Sequence, residues 1–387
     1  MAMPNRIAED VRSLPPSGIR RFFDIAADME DVISLGIGEP DFPTPAHVAR
    51  AGADSLLQGG TGYTANAGMP ELRHAISDYV DELYGLTYDP DEEILVTVGV
   101  SEGLFLALRA LLNPGDEVLV VEPCFVSNPA AVSIAGGVCV PVSTEVAQDF
   151  QVTAAALERR ITPRTRAIVI NYPNNPTGAV LTDEHLMQVA AVAQAHDLVV
   201  ISDEIYERLV FGHRHRCFAS LPGMRERTVL LSGMSKSFAM TGWRIGYACG
   251  PPDLLAAMGR LHQYLTMAAP TMGQVASLQA LQQGSTDVEA MRLEYDRRRR
   301  LVVDGFNALG LPCFEPRGAF YAFPDVRSSG LDDEAFSERL LFEERVALVP
   351  GSAFGASGAG FVRASYATGH EQLEEALLRI QKFLQRL

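Results

Sequence analysis

The sequence predicts a three-layer α/β protein, on three observations. Between about residues 94 and 250, short β-rich apolar runs alternate with helical patterns at the spacing that crossover connections require. The runs are almost wholly apolar, as in strands buried on both faces, so helices should cover both sides of a mostly parallel sheet. The chain has 387 residues, 47% of them hydrophobic and 21% charged, which is enough for a substantial core and makes two domains the default.

In chain order, residues 1–40 are expected to form an N-terminal arm and part of a small domain, because they hold Pro15 and Pro16 and little periodicity. A large domain over 41–285 carries the expected strands Ile94–Val98, Glu117–Val121, Val138–Val142, Ala167–Ile170, Leu198–Ser202, Thr228–Leu231 and Ile245–Cys249. Ser101, Glu102 and Gly103 follow the first strand and open the helical stretch Leu104–Leu112. After about residue 285, the amphipathic stretches Val288–Leu309 and His370–Leu387 surround the short runs Ala319–Phe323 and Phe361–Ser365, the pattern of a smaller α+β domain over 286–387.

A formal charge of −16 argues against a nucleic-acid or anionic-membrane surface, since both need basic patches. The one basic cluster, Arg297–Arg300, reads as a solvated helix face, and His213 and His215, interleaved with arginines, read as a surface loop. The cysteines Cys124, Cys139, Cys217, Cys249 and Cys313 are odd in number and scattered, so neither a disulfide framework nor a metal site is expected. No signal pattern or membrane-length apolar stretch is visible, and the expectation is a cytoplasmic protein acting on small molecules.

In sheets of this kind, ligands bind beyond the carboxyl ends of the strands. Asp203, Lys236, Asn175 and Ser101 all follow predicted strand ends. Lys236 is one of two lysines in a chain whose other thirty basic residues are arginine, and only a lysine amine can lose its proton and attack a carbonyl. By identity alone it could equally be solvated like Lys382, and Asp203 could be a helix cap.

The run Gly233-Met-Ser-Lys236-Ser-Phe-Ala-Met-Thr-Gly-Trp-Arg244-Ile-Gly246 resembles the lysine-site signature of the class I/II aminotransferases, pyridoxal-phosphate enzymes of fold type I. Further motifs follow the family's order: Ser34–Phe42 with Gly38, Gly62–Gly68 with Tyr63, Asn171–Gly178 with Asn175, Ser202–Tyr206 and Phe361–Ser365 with Arg363. The flavour is closest to the prokaryotic aromatic, aspartate and alanine branch. The resemblance implies that Lys236 holds the cofactor aldehyde and moves the substrate's α-proton, while Asp203 keeps the pyridine nitrogen protonated. It further implies that Tyr206 and Asn175 donate to the phenolic oxygen, that Phe125 stacks on the ring, and that the Asn175–Pro176 bond is cis. The phosphate would be met by backbone amides of Ser101 and Glu102, by Ser235 and Gly233, and by Arg244, with the Glu102 carboxylate turned away. Arg363 and Gly38 would take the substrate carboxylate, and Tyr63 would reach the neighbouring subunit's phosphate in a homodimer with shared sites.

The implied activity moves the amino group of an L-amino acid to a 2-oxo acid, 2-oxoglutarate being the expected acceptor, by a ping-pong route. Fold-type-I carbon–sulfur β-lyases or related synthases share the same residue set, and a non-catalytic regulator is a third reading that lacks its DNA module here. Ser101 stands where some aspartate-specific relatives have lysine, so neutral and aromatic donors are expected over aspartate. Ile19, Phe22, Tyr264 and Phe320 are the candidate walls, and Arg20 or Arg21 could supply a missing charge. Gly233 replaces a serine common in aspartate enzymes, which leaves Ser232 as a possible stand-in.

Overall fold

The computed structural model describes residues 6–8, 11–12, 14 and 29–387. Ile19, Arg20, Arg21 and Phe22 lie outside the described residues. A two-residue strand, β1 (Ile33–Ser34), precedes the central sheet, whose strands are β2 (Ile94–Thr97), β3 (Glu117–Glu122), β4 (Val138–Ser143), β5 (Thr165–Asn171), β6 (Val199–Asp203), β7 (Thr228–Gly233) and β8 (Gly246–Cys249). Their order across the sheet is β2-β8-β7-β6-β5-β3-β4. All seven predicted strands are present, and one runs against the rest: β8 is antiparallel to both β2 and β7. Strands buried on both faces look alike in sequence whichever way they run, so direction was invisible there.

Helices cover the sheet on both sides, as its apolar strands demand. The helix Gly99–Leu111 crosses one face with Leu104, Leu106 and Leu108 buried, and packs with Pro252–Leu265. Asp183–Ala195 lies on a separate apolar cluster with Leu186, Val189 and Val192, capped by the Thr182 side chain accepting from the His185 amide.

The later part of the chain forms a second body. Strands β9 (Tyr321–Ala322), β11 (Val349–Pro350) and β12 (Val362–Ser365) make an antiparallel sheet in the order β11-β12-β9, and β10 (Val346–Ala347) pairs in parallel with β1. The helices Ser285–Ala308, Asp333–Glu344 and His370–Leu384 share one core with these strands, built on Phe306, Phe336, Phe383 and Tyr366. That core also takes in Ile205, Tyr206 and Leu209 from just beyond β6. The two bodies are thus joined where the candidate residues lie.

Two surface expectations are corrected. Arg298 and Arg299 are buried, not solvated: Arg298 holds Asp41 at 2.8 Å and Glu294 at 3.0 Å, and Arg299 holds Asp296 at 2.8 Å and Glu315 at 2.9 Å. Consecutive helix positions face different neighbours, so one arginine run serves two inner contacts while Arg297 and Arg300 stay exposed. His215 is not on a free loop either. Its Nε2 meets the buried Glu204 carboxylate at 2.6 Å, which a charge count along the sequence cannot reveal.

Candidate active site

At the carboxyl ends of the parallel strands lies a cavity of about 560 Å³, and nearly every predicted residue lines it: Gly38, Ser101, Phe125, Asn175, Asp203, Tyr206, Ser235, Lys236, Arg244 and Arg363. Several are delivered by a strand end or by the turn that follows, while Ser101 lies in the first turn of the helix Gly99–Leu111 and Arg363 within β12. Asp203 closes β6, Asn175 stands beyond β5, and Lys236 follows β7 by three residues of turn.

Lys236 Nζ donates to the Gly38 carbonyl oxygen at 2.6 Å. Burial lowers its pKa to about 8, with Glu39 opposing that shift, so a substantial fraction of the amine is neutral near physiological pH. Asp203 is buried, and desolvation, then the nearby Glu204 and Glu207, raises its pKa to about 7 despite a bond from the Ile205 amide. A carboxyl placed this way gains from a cation beside it. Tyr206 donates to or accepts from Tyr321 at 2.8 Å, and burial pushes its pKa well above the ordinary phenol value.

Arg363 is fully buried in β12, where Nη1 donates to Asn175 Oδ1 at 2.9 Å and Nη2 to the Gly36 carbonyl. Its Nε is buried without a hydrogen-bond partner. Burial presses the guanidinium's pKa down, so the residue gains from an anion. The Asn175–Pro176 bond is cis, as the resemblance implied.

The anion cradle is built from backbone. Gly99 starts its helix at φ +73°, and an added Cβ would stand 2.6 Å from Arg244 Nη2. Arg244 itself turns at φ +58° and is tethered through Nη1 to the Thr241 carbonyl at 3.0 Å. The helix N-terminus, the Ser101 and Ser235 side chains and this guanidinium therefore converge. Glu102 faces elsewhere: its carboxylate accepts from the Val98 amide at 2.5 Å and meets His262 Nδ1 at 2.9 Å. Burial alone would raise that carboxyl, but His262, the Val98 amide and Thr266 hold it below its ordinary range.

Other expectations fare differently. Ser232 is no stand-in, because its hydroxyl donates to Glu207 on the buried side. Gly233 has no room for a side chain at all: a Cβ would lie 2.7 Å from Gly246 Cα, so close approach of β7 and β8 excludes the serine. Tyr264 is 86% exposed and Phe320 stands behind the wall, edge-on to the Tyr206 ring at 5.5 Å, so neither lines the cavity. Tyr321 lines it instead and was missed. Tyr321 pairs with Ser365, which shares a face with Arg363 two residues away, so strand alternation selects Tyr321 over Phe320 once the register is known. Tyr63 is 84% exposed and does not line this cavity.

A strand-end lysine, a buried carboxylate and a helix-terminal anion cradle fit pyridoxal phosphate, and the buried Arg363, whose Nε has no partner, can take a further anion. When bound, that group supplies an aldehyde for an amine and a ring that withdraws electrons from the substrate's α-carbon. The fold and site define a pyridoxal-phosphate-dependent transferase of fold type I.

The family model for aminotransferase class I and II matches residues 30–380, and the chain belongs to that family. It is 46% identical to an aspartate aminotransferase of Pyrococcus abyssi, covering 99% of this chain and 98% of that one. It is 44% identical to aromatic-amino-acid aminotransferase 2 of Thermococcus litoralis, covering 98% of each. The solved aspartate aminotransferase of Thermus thermophilus with maleate superposes with a TM-score of 0.94 at 42% identity, over 98% of this chain and 99% of that one. This chain is a transaminase that uses pyridoxal phosphate, with an amino acid and a 2-oxo acid as substrates.

Proposed function

We propose that this transaminase favours neutral and aromatic L-amino acids over aspartate and passes their amino group to 2-oxoglutarate by a ping-pong route. One observation carries the donor preference. Among the described residues, the cations on the cavity are Lys236, Arg244 and Arg363. Each of the three already has a partner in this scheme. Lys236 takes the cofactor aldehyde and moves the α-proton, Arg244 takes the phosphate, and Arg363 with Gly38 and Asn175 takes the α-carboxylate. Among the described residues, no charge on the cavity is left for a second carboxylate on a donor. Apolar Ile37, Leu104, Phe125 and Ile205 line much of the remaining space. The neutral side chains of Ser127 and Asn128 also line it and can hydrogen-bond the acceptor's distal carboxylate.

Within the same scheme, Asp203 pairs with the ring nitrogen, Tyr206 and Asn175 serve the phenolic oxygen, and Phe125 stacks on the ring. Ser101, Glu102 and Ser235 join Arg244 around the phosphate, the first two through backbone amides. Tyr63 serves the site of a second subunit. A homodimer is supported by the exposed Leu57, Tyr63, Tyr264 and Met267, which lie on segments tied together by Asn66 donating to the Met267 carbonyl at 2.6 Å and Thr271 to the Gly62 carbonyl at 2.7 Å. Cytoplasmic residence is supported by five free thiols.

Steady-state rates with phenylalanine, methionine, alanine and aspartate as donors and 2-oxoglutarate as acceptor test the preference. The expected order of kcat/KM puts phenylalanine and methionine above aspartate. A clear excess for aspartate overturns it.

A further inference from the structure

We propose that Tyr321 is a positioning residue that acts through Tyr206 to set the proton affinity of the cofactor-bound Lys236 nitrogen, and that couples this affinity to carboxylate occupancy at Arg363. The proposal rests on the reading that Lys236, Tyr206 and Arg363 hold the cofactor and the substrate carboxylate.

The geometry sets Tyr321 between these two groups. It is fully buried in β9, its hydroxyl lies 2.8 Å from that of Tyr206, and its ring lies beneath the Arg363 guanidinium at 4.6 Å. The same hydroxyl fills the space over Gly38, where an added Cβ would come within 2.9 Å of it. Tyr321 therefore touches the carboxylate clamp, the loop under Lys236 and the Tyr206 hydroxyl at once.

Each phenol has a single proton to donate. If Tyr206 donates its proton to the cofactor's phenolic oxygen, it cannot also donate to Tyr321, so Tyr321 must donate to Tyr206. A hydroxyl that accepts one hydrogen bond becomes a stronger donor in the next. Tyr321 thus strengthens the stabilisation of a phenolate and lowers the proton affinity of the nitrogen conjugated to it. Arg363 over the ring favours Tyr321 as a donor, and a carboxylate bound to Arg363 cancels that charge. Carboxylate binding then weakens the chain and makes the nitrogen more basic at the moment when the incoming substrate's ammonium group has a proton to give up.

Both phenols stay neutral, because burial raises the pKa of each. The other charges facing this group are Lys236, 5.9 Å above the Tyr206 ring, and Asp203, with Glu39 and Arg244 acting on Lys236.

The test is a pH titration of the visible absorbance of the purified protein loaded with pyridoxal phosphate. In Tyr321→Phe the midpoint is expected to rise by about half to one pH unit, the value of one hydrogen bond. Adding 3-phenylpropionate, a carboxylate without an amine, should raise the midpoint in the unmodified protein and raise it less in the variant. The double variant Tyr206→Phe/Tyr321→Phe should titrate like Tyr206→Phe alone, because the effect travels through Tyr206. Equal midpoints for Tyr321→Phe and the unmodified protein overturn this inference alone, and so does full additivity in the double variant. Failure of the unmodified protein to form any visible band that depends on Lys236 overturns the underlying reading and this inference with it.

Discussion

Lys236 shows most directly how a residue's surroundings set its chemistry. Desolvation lowers its pKa to about 8, so below that value most of the amine is protonated and cannot attack an aldehyde. Capture of pyridoxal phosphate by the cofactor-free protein should therefore accelerate as pH rises through about 8 and level off above it. Stopped-flow absorbance checks this, and a rate that falls over the same interval would contradict it. Lys236→Ala should lower turnover by at least about 10²-fold, the scale of one lost proton-transfer group. Lys236, Asp203 and Arg363 were picked out by the motifs around them, since residue identity alone left Lys236 and Asp203 open, and the structure gathers all three on one cavity. Tyr321 was not legible, since an aromatic in the run Ala319–Phe323 could point either way until β9 found its partner.

At the scale of elements, strands were legible from apolar runs and helices from their period. The approach of one element to another was not. Gly99, Gly233 and Gly246 mark where β7, β8 and the helix Gly99–Leu111 meet too closely for side chains, and a sequence shows only that glycine is present. Gly99→Ala should strain a left-handed backbone position and press on Arg244, for roughly 1–2 kcal/mol. Cofactor affinity, read by equilibrium absorbance titration, should fall about tenfold. The orientation of β8 escaped prediction for a related reason: burial on both faces removes the alternation that would show pairing.

At the scale of the whole molecule, a later α+β part beside the sheet-bearing one was legible as a change of pattern along the chain. The link between them was not, because it depends on buried charges far apart in the chain. Arg298 joins the helix Ser285–Ala308 to Asp41 at 2.8 Å and lies over the Phe42 ring at 5.2 Å. Arg298→Ala should destabilise the fold by on the order of 2 kcal/mol, since it strands a partly buried carboxylate, and calorimetry should show a lower melting temperature. The proposed dimer predicts twice the chain mass by sedimentation. Tyr63→Phe should keep that mass while releasing pyridoxal phosphate more readily on dialysis.

The pairing of β1 with β10 has a consequence for biosynthesis. Ile33 and Ser34 leave the ribosome long before their partners Val346 and Ala347 are made. The central sheet, whose strands span Ile94 to Cys249, can close while translation continues, but the leading segment must wait for its strand partner with its backbone groups bonded to water. The Arg363 end of the pocket is therefore assembled last, after the Lys236 end is already in place.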